Sequence, residues 1–115
     1  MKDFTGQIGE QAAAAYLEAR GYTVLARNFS SRYGEIDIIA SDAQYIVFVE
    51  VKTRAATPMV TGAESVTEGK RSRLSATASI YLQRNETALQ PRFDVIEVEK
   101  RRERYSVINH LKNAF

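Results

Sequence analysis

The 115-residue sequence predicts an α/β fold: a central mixed five-stranded sheet flanked by helices, in the order α-β-β-β-α-β-β. Three observations lead there. Residues 5–20 place apolar side chains at helical spacing, and five later segments are rich in isoleucine, valine and aromatic residues. A second amphipathic stretch separates the third of those segments from the fourth. Two long amphipathic helices need a surface to cover, and a sheet supplies it. A chain of this length forms one domain, residues 1–115, and buries roughly 65% of its unfolded surface in a single core.

The elements follow in order. Thr5 is a candidate N-cap for the first helix, the four alanines at 12–15 favour helix, and Gly21 suits the position just past its end. Ile8, Ala12, Ala15 and Tyr16 share one arc, with Ala13, Ala14 and Leu17 on the next; Glu10 stands at the end of this apolar stripe. YTVLARNF (22–29) predicts a first strand, and residues 35–41 and 45–52 two more, joined by a short polar turn. Residues 53–63 have a proline, a glycine and no periodicity, which reads as a loop. Ser65-Val66-Thr67-Glu68 has capping-box spacing and opens a second helix to about Asn85. Leu74, Ala78, Tyr81 and Leu82 form its apolar face, and Lys70, one turn before Leu74, falls on the inward side. RFDVIEV (92–98) and YSVINHL (105–111) complete the strands.

Composition narrows the chemistry. The chain is 44% hydrophobic and 26% charged, which is ordinary for a folded globular protein. Without cysteine there are no disulfides, thiolate metal sites or cysteine nucleophiles; with His110 as the only histidine, imidazole zinc sites and serine–histidine triads are hard to build. A metal site would rest on carboxylates, which suit magnesium or manganese. No apolar run reaches membrane-spanning length and MKDFTGQIGE has no signal-peptide core, so a cytoplasmic protein without membrane attachment is expected. The net charge of +2 is small, but Lys70, Arg71 and Arg73 cluster, as do Lys100, Arg101, Arg102 and Arg104. Such runs are commonly solvated faces, and their density also suits a phosphate-binding rim.

The informative stretch is GEIDIIASDAQYIVFVEVKTR, residues 34–54, where Asp37, Glu50 and Lys52 interrupt apolar strands. Burying a charge costs several kcal/mol or more unless it is paired. Alternation puts Glu35, Asp37 and Ile39 on one face of their strand, and Phe48, Glu50 and Lys52 on one face of the next. In an antiparallel hairpin, a two-residue loop pairs Ser41 with Gln44 and sets Asp37 diagonal to Glu50. A four-residue loop pairs Ser41 with Ile46 and sets the two carboxylates opposite each other; an odd loop or a bulge breaks the convergence. Converging carboxylates repel, and a divalent cation between them removes the conflict. A nearby lysine can stabilise developing negative charge or help deprotonate an attacking water. Alone, a Glu-x-Lys strand is more commonly an exposed surface with an ion pair of little worth; Asp37 and Glu10 add weight to the site.

These residues resemble a known family. Asp37 with Glu50-Val51-Lys52 looks like the PD-(D/E)XK nuclease signature, with Ile36 where that name has proline. GxxGE at 6–10, GEIDIIA at 34–40, FVEVKTR at 48–54, RFDVIEV at 92–98 and the terminal NAF resemble the bacterial YraN-like family, also called UPF0102, nearly end to end. That family is similar to archaeal Holliday junction resolvases and restriction endonucleases. The resemblance implies a restriction-endonuclease-like fold with Mg2+ (or Mn2+) held by Asp37, Glu50 and the Val51 carbonyl. Lys52 would be the catalytic lysine, and Glu10 a first-helix glutamate supporting the metal or its water. Arg54 is expected to contact phosphate, with Lys70, Arg71 and Arg73 as further nucleic-acid contacts; for Lys70 a solvated lysine is an equally good reading. Ser30 and Ser31 stand where the family often has a basic residue. The Arg92–Asp94 pair reads as structural, and His110 as a packing or surface residue.

The implied activity is magnesium-dependent cleavage of DNA, including branched or damaged DNA, by water attack on a phosphodiester, with a homodimer suited to a symmetric junction. The alternatives are a nucleic-acid-binding module without efficient cleavage, serving as a subunit of a repair, recombination or uptake complex, and an RNA endonuclease.

Overall fold

The computed structural model describes residues 4–55 and 67–115. Its elements are α1 (Thr5–Ala19), β1 (Thr23–Ser31), β2 (Gly34–Ser41), β3 (Tyr45–Ala55), α2 (Glu68–Arg84), β4 (Gln90–Arg101) and β5 (Arg104–Leu111), the α-β-β-β-α-β-β order expected from the sequence. The five strands lie side by side in chain order. β1–β2, β2–β3 and β4–β5 are antiparallel, whereas β3 and β4 are parallel. Parallel neighbours need a crossover, and α2 lies in that connection. The sheet is mixed for this reason.

Each face of the sheet carries its own apolar cluster. Ala13, Ala14 and Leu17 of α1 pack with Ile38, Val47, Val49, Ile96 and Val98. On the other face Leu74, Ala78 and Tyr81 of α2 pack with Ile36, Ile39, Ile46 and Phe48. The apolar arc of α1 is therefore narrower than its sequence suggests: Ile8 is 40% exposed and Ala15 is exposed, while Ala12 and Tyr16 are half-buried at the rim.

The helix starts differ from expectation. Phe4, not Thr5, is the N-cap of α1, because the Ile8 N–H donates to the Phe4 carbonyl at 2.9 Å and Thr5 is already helical. At the other end Tyr22 N–H donates to Leu17 O and Gly21 N–H to Glu18 O, with Gly21 at φ +90°, the Schellman arrangement that glycine favours. For α2 the cap is Thr67, two residues after the expected Ser65. Its side chain accepts from the Lys70 N–H at 3.2 Å, so the helix opens at Glu68. Ser65 and Val66 lie outside the described residues, as does the part of the expected loop from 56 to 63; residues 53–55 continue β3, each beside a β4 residue.

A buried polar cluster ties α1 and the chain end to β4. Asp94, fully buried, accepts from Arg92 Nε and Nη2 at 2.9 Å and from the Asn113 N–H at 3.0 Å, and lies 2.7 Å from His110 Nε2. Arg92 also donates to the Tyr22 hydroxyl, and His110 Nδ1 meets the Tyr16 hydroxyl at 3.1 Å. Burial pushes the Asp94 carboxyl up, but the bonds from His110, Arg92 and Asn113 outweigh it and hold the group below the usual carboxylate range. Arg92–Asp94 is thus the structural pair expected, and His110 packs with it.

Candidate active site

The site forms where β2 and β3 part. Ser41 pairs with Ile46, the register of a four-residue connection, and the ladder runs to Ile38–Val49. Asp42 builds that connection: its Oδ1 accepts from the Gln44 and Tyr45 amides at 2.8 Å, an Asx-type turn. Continuing the register by one residue sets Asp37 opposite Glu50, but the backbone pairing ends before it. The Asp37 carboxylate instead takes the Val51 N–H, Oδ2 to N at 2.8 Å, in place of a ladder bond.

Strict alternation fails at the same point. Ile36 and Ile39, three residues apart, pack into one cluster, so the face shared by Glu35, Asp37 and Ile39 in the sequence reading does not exist. The register shows why. Asn28 lies between the pairs Arg27–Ile38 and Phe29–Ile36, level with Asp37, and has φ +54°, a left-handed backbone that kinks the β1–β2 ribbon. The kink turns Asp37 into the gap between β2 and β3, within the electrostatic reach of Glu10 and Glu35 as well as Glu50.

Glu10 arrives from α1. The helix can approach because residue 9 is glycine: a Cβ there would collide with Thr53 Oγ1 of β3. Glu10 Oε1 lies 3.9 Å from Arg27 Nη2. With its amide nitrogen turned toward the carboxylates, Asn28 donates to Glu10 Oε1 at 3.0 Å and to Glu35 Oε1 at 3.3 Å.

Opposite Asp37, Glu50 is only 8% exposed and meets two ammonium groups, Lys70 Nζ at 2.8 Å and Lys52 Nζ at 3.5 Å. Lys70 therefore belongs to the site rather than to a solvated helix face. Arg54, further along β3, is half-buried. The other two expected contacts stand aside: Arg71 lies over the Phe115 ring at 5.5 Å, and Arg73 is exposed beside Gly34 at the β1–β2 turn.

The electrostatics fit this crowding. Burial, then the neighbouring Glu50 charge, push the Asp37 carboxyl up to about 7 against the pull of the Val51 N–H. Burial also raises Glu10, with Glu35 adding to it and Arg27 opposing. Burial and the adjacent Lys70 lower Lys52, whereas for Lys70 the bonds to Glu50 and Lys52 outweigh burial and raise it. Of the two lysines, Lys70 keeps its proton more firmly.

Residues the sequence reading passed over also stand here. Glu97, only 5% exposed, is the β4 partner of Lys52 in register. An acid three residues after Asp94 in an apolar strand was the available signal. Arg27 and Asn28 flank Glu10; an asparagine inside a strand was theirs.

A divalent cation suits the donor set. Asp37 and Glu50 are hard oxygen donors whose mutual repulsion a cation would relieve. The Val51 carbonyl lies on the same strand edge as the Val51 N–H that meets Asp37, since both groups of one strand residue point the same way. Among the described residues no three acidic or histidine side chains are grouped closely enough to hold an ion by themselves, so backbone or water would complete the shell.

Residues 9–98 match the family described as "Uncharacterised protein family UPF0102". The chain belongs to UPF0102. A UPF0102 protein of Symbiobacterium thermophilum is 53% identical over 95 residues, 82% of this chain and 80% of that protein. One from Caldanaerobacter subterraneus subsp. tengcongensis is 41% identical over 117 aligned positions, 99% of this chain and 96% of its own length. A third, from Pelotomaculum thermopropionicum, is 44% identical over 112 residues, with coverages of 96% and 93%. The UPF0102 match takes in Glu10, Asp37, Glu50, Lys52 and Lys70, five charged groups that this fold brings to one place. Among the described residues no helix is long and apolar enough to cross a membrane.

Proposed function

We propose that this UPF0102 protein is a metal-dependent endonuclease of the PD-(D/E)XK superfamily, with a restriction-endonuclease-like fold, hydrolysing phosphodiester bonds in DNA that is branched or damaged. One observation carries the reading: Asp37, Glu50 and Lys52 meet where β2 and β3 part, with the Asp37 carboxyl held near neutrality by burial and by Glu50. A purely structural strand has no use for two crowded carboxylates, and perturbed groups of this kind mark functional sites.

Asp37, Glu50 and the Val51 carbonyl would hold Mg2+ or Mn2+, with Glu10 reaching it through water. When bound, the ion supplies a more acidic water and neutralises charge on the phosphate. Lys52 would take the proton from the attacking water only as the neutral amine, the form that burial and the adjacent Lys70 favour. Lys70 stays charged, orients Glu50 through the 2.8 Å contact and adds positive charge beside the reacting phosphate. Arg54 extends that charge along β3. A symmetric junction would call for a homodimer acting in the cytoplasm.

A second reading has its own observation. The two ammonium groups on Glu50 already neutralise it from within the chain, which suits a nucleic-acid-binding module that does not cleave, part of a repair, recombination or uptake complex. One experiment separates the two. Wild type and the Asp37→Ala, Glu50→Ala and Lys52→Ala variants are incubated with junction, duplex and single-stranded DNA and with RNA, in magnesium or manganese. Cleavage lost in all three variants while binding persists supports the nuclease, and the substrate cut assigns DNA or RNA. Salt-sensitive binding without metal-dependent cutting, unchanged by the substitutions, overturns it in favour of the binding module.

A further inference from the structure

The β4–β5 hairpin is built against its own stability. Arg101 and Arg104 are register partners, so like charges face each other across the strands, an arrangement that destabilises a sheet pair. The two residues between them are Arg102 and Glu103, where a tight hairpin favours Asn-Gly, and Arg102 adopts the left-handed φ of +58°. Residues 101–104 are all exposed and line a hollow open to solvent. Glu99 meets Arg101 Nε at 3.4 Å, but that guanidinium side chain is 68% exposed, so the pair contributes little. Residues 99–104 hold four cations against two carboxylates, a net +2 equal to that of the whole chain.

The position of this tip gives it meaning. β4 runs parallel to β3, with Val95 beside Glu50, Glu97 beside Lys52 and Lys100 beside Ala55. At about 3.3 Å per residue the tip lies about 20 Å along the sheet from Glu50, and Lys52 and Arg54 occupy the interval on β3. Each has an acid beside it on β4, Glu97 for Lys52 and Glu99 for Arg54, so the net positive charge gathers at the hairpin tip itself. About 20 Å is about six steps of one nucleic-acid strand at 3.4 Å each.

We propose that the β4–β5 hairpin, through Arg101, Arg102 and Arg104, is a second phosphate-binding site that grips the nucleic-acid backbone about six nucleotides from the bond at the carboxylates. This rests on the nucleic-acid reading above and extends it to a surface away from the site. The contact is electrostatic: guanidinium groups release counterions from the backbone, so binding should weaken as salt rises.

The test measures affinity for a fluorescent DNA duplex in chelator over a salt series, for wild type and two triple variants. Changing Arg101, Arg102 and Arg104 to Gln should lower affinity at least tenfold at about 0.1 M salt and reduce the slope of log K against log salt by about two to three. Changing all three to Lys should keep most of the slope. Thermal melting of the Gln variant at or above wild type shows that the fold is intact, as relief of the Arg101–Arg104 repulsion predicts. Equal slopes and affinities for wild type and the Gln variant, with wild type binding DNA, overturn the hairpin contact alone. Absence of salt-dependent wild-type binding to any nucleic acid overturns the hairpin contact and the nucleic-acid reading together. Adsorption of wild type to phosphatidylserine vesicles without DNA binding also overturns the contact and moves the patch to a lipid surface.

Discussion

At Asp37 a carboxyl group sits between apolar strands, beside a second carboxylate, and accepts a hydrogen bond from the Val51 N–H. Because the folded group titrates at about 7 and an unperturbed one at 3.8, the fold prefers it protonated. Its contribution to stability is complete below about pH 4 and is lost as pH rises through about 7. Asp37→Asn keeps an acceptor for the Val51 N–H and removes the charge. In chelator at about pH 8 this variant should be more stable than wild type by on the order of 2–4 kcal/mol, with the gap closing toward pH 4. Urea unfolding at the two pH values checks it, and a variant less stable than wild type at the higher pH would refute the repulsion. Asp94 is the opposite case, a buried carboxylate fully matched by donors. Asp94→Ala strands Arg92 and His110 and should cost about 3–5 kcal/mol in the same assay. The two acids look alike in sequence, each inside an apolar strand, and only their partners separate a destabilising site from a structural clamp.

Among the elements, α1 shows most clearly how a motif acquires a physical cause. Its GxxGE start contains two glycines with different surroundings: a Cβ at Gly6 meets nothing within 4 Å, whereas one at Gly9 collides with Thr53. Gly6→Ala should stabilise the protein by about 0.5–1 kcal/mol through helix propensity. Gly9→Ala gains the same propensity but overpacks the α1–β3 contact at a cost of about 1–3 kcal/mol, so its unfolding midpoint should fall. Because α1 must shift to make room, Glu10 moves with it, and the cleavage proposed above should fall further than stability alone explains. Equal midpoints for the two variants would show that α1 does not depend on the close approach. Helix periodicity showed where α1 lies, but not which glycine touches the sheet, since that depends on a strand 44 residues away in sequence. The cap of α2 was misplaced for a related reason: Ser65 and Thr67 both offer a hydroxyl, and which one caps depends on where the backbone turns helical.

For the molecule as a whole, element order was legible because β-branched runs and helical spacing are local signals, and both helices cover the faces that their apolar residues imply. The convergence of Asp37 and Glu50 was legible in either of two even registers, and the turn bonds of Asp42 select the four-residue one. What sequence could not reveal was the kink at Asn28, the Lys70–Glu50 contact and the placement of Glu97, each of which depends on pairing between distant segments. These parts meet in one linkage. In chelator, Asp37 makes the folded chain less stable as pH rises from about 4 to 7. On the proposed function a divalent ion would bind the deprotonated carboxylates, so protons would compete with it and its affinity should weaken about tenfold per pH unit below about 7. At about 100 times its dissociation constant the ion adds about 2.7 kcal/mol. Manganese should therefore raise the melting temperature strongly at about pH 8 and little at about pH 5, and the shift should be small at both in Asp37→Asn. Thermal melts of the two proteins with manganese and with chelator measure this directly. A shift of equal size in wild type and Asp37→Asn would place the ion elsewhere on the chain, and a shift independent of pH would separate its binding from the Asp37 carboxylate.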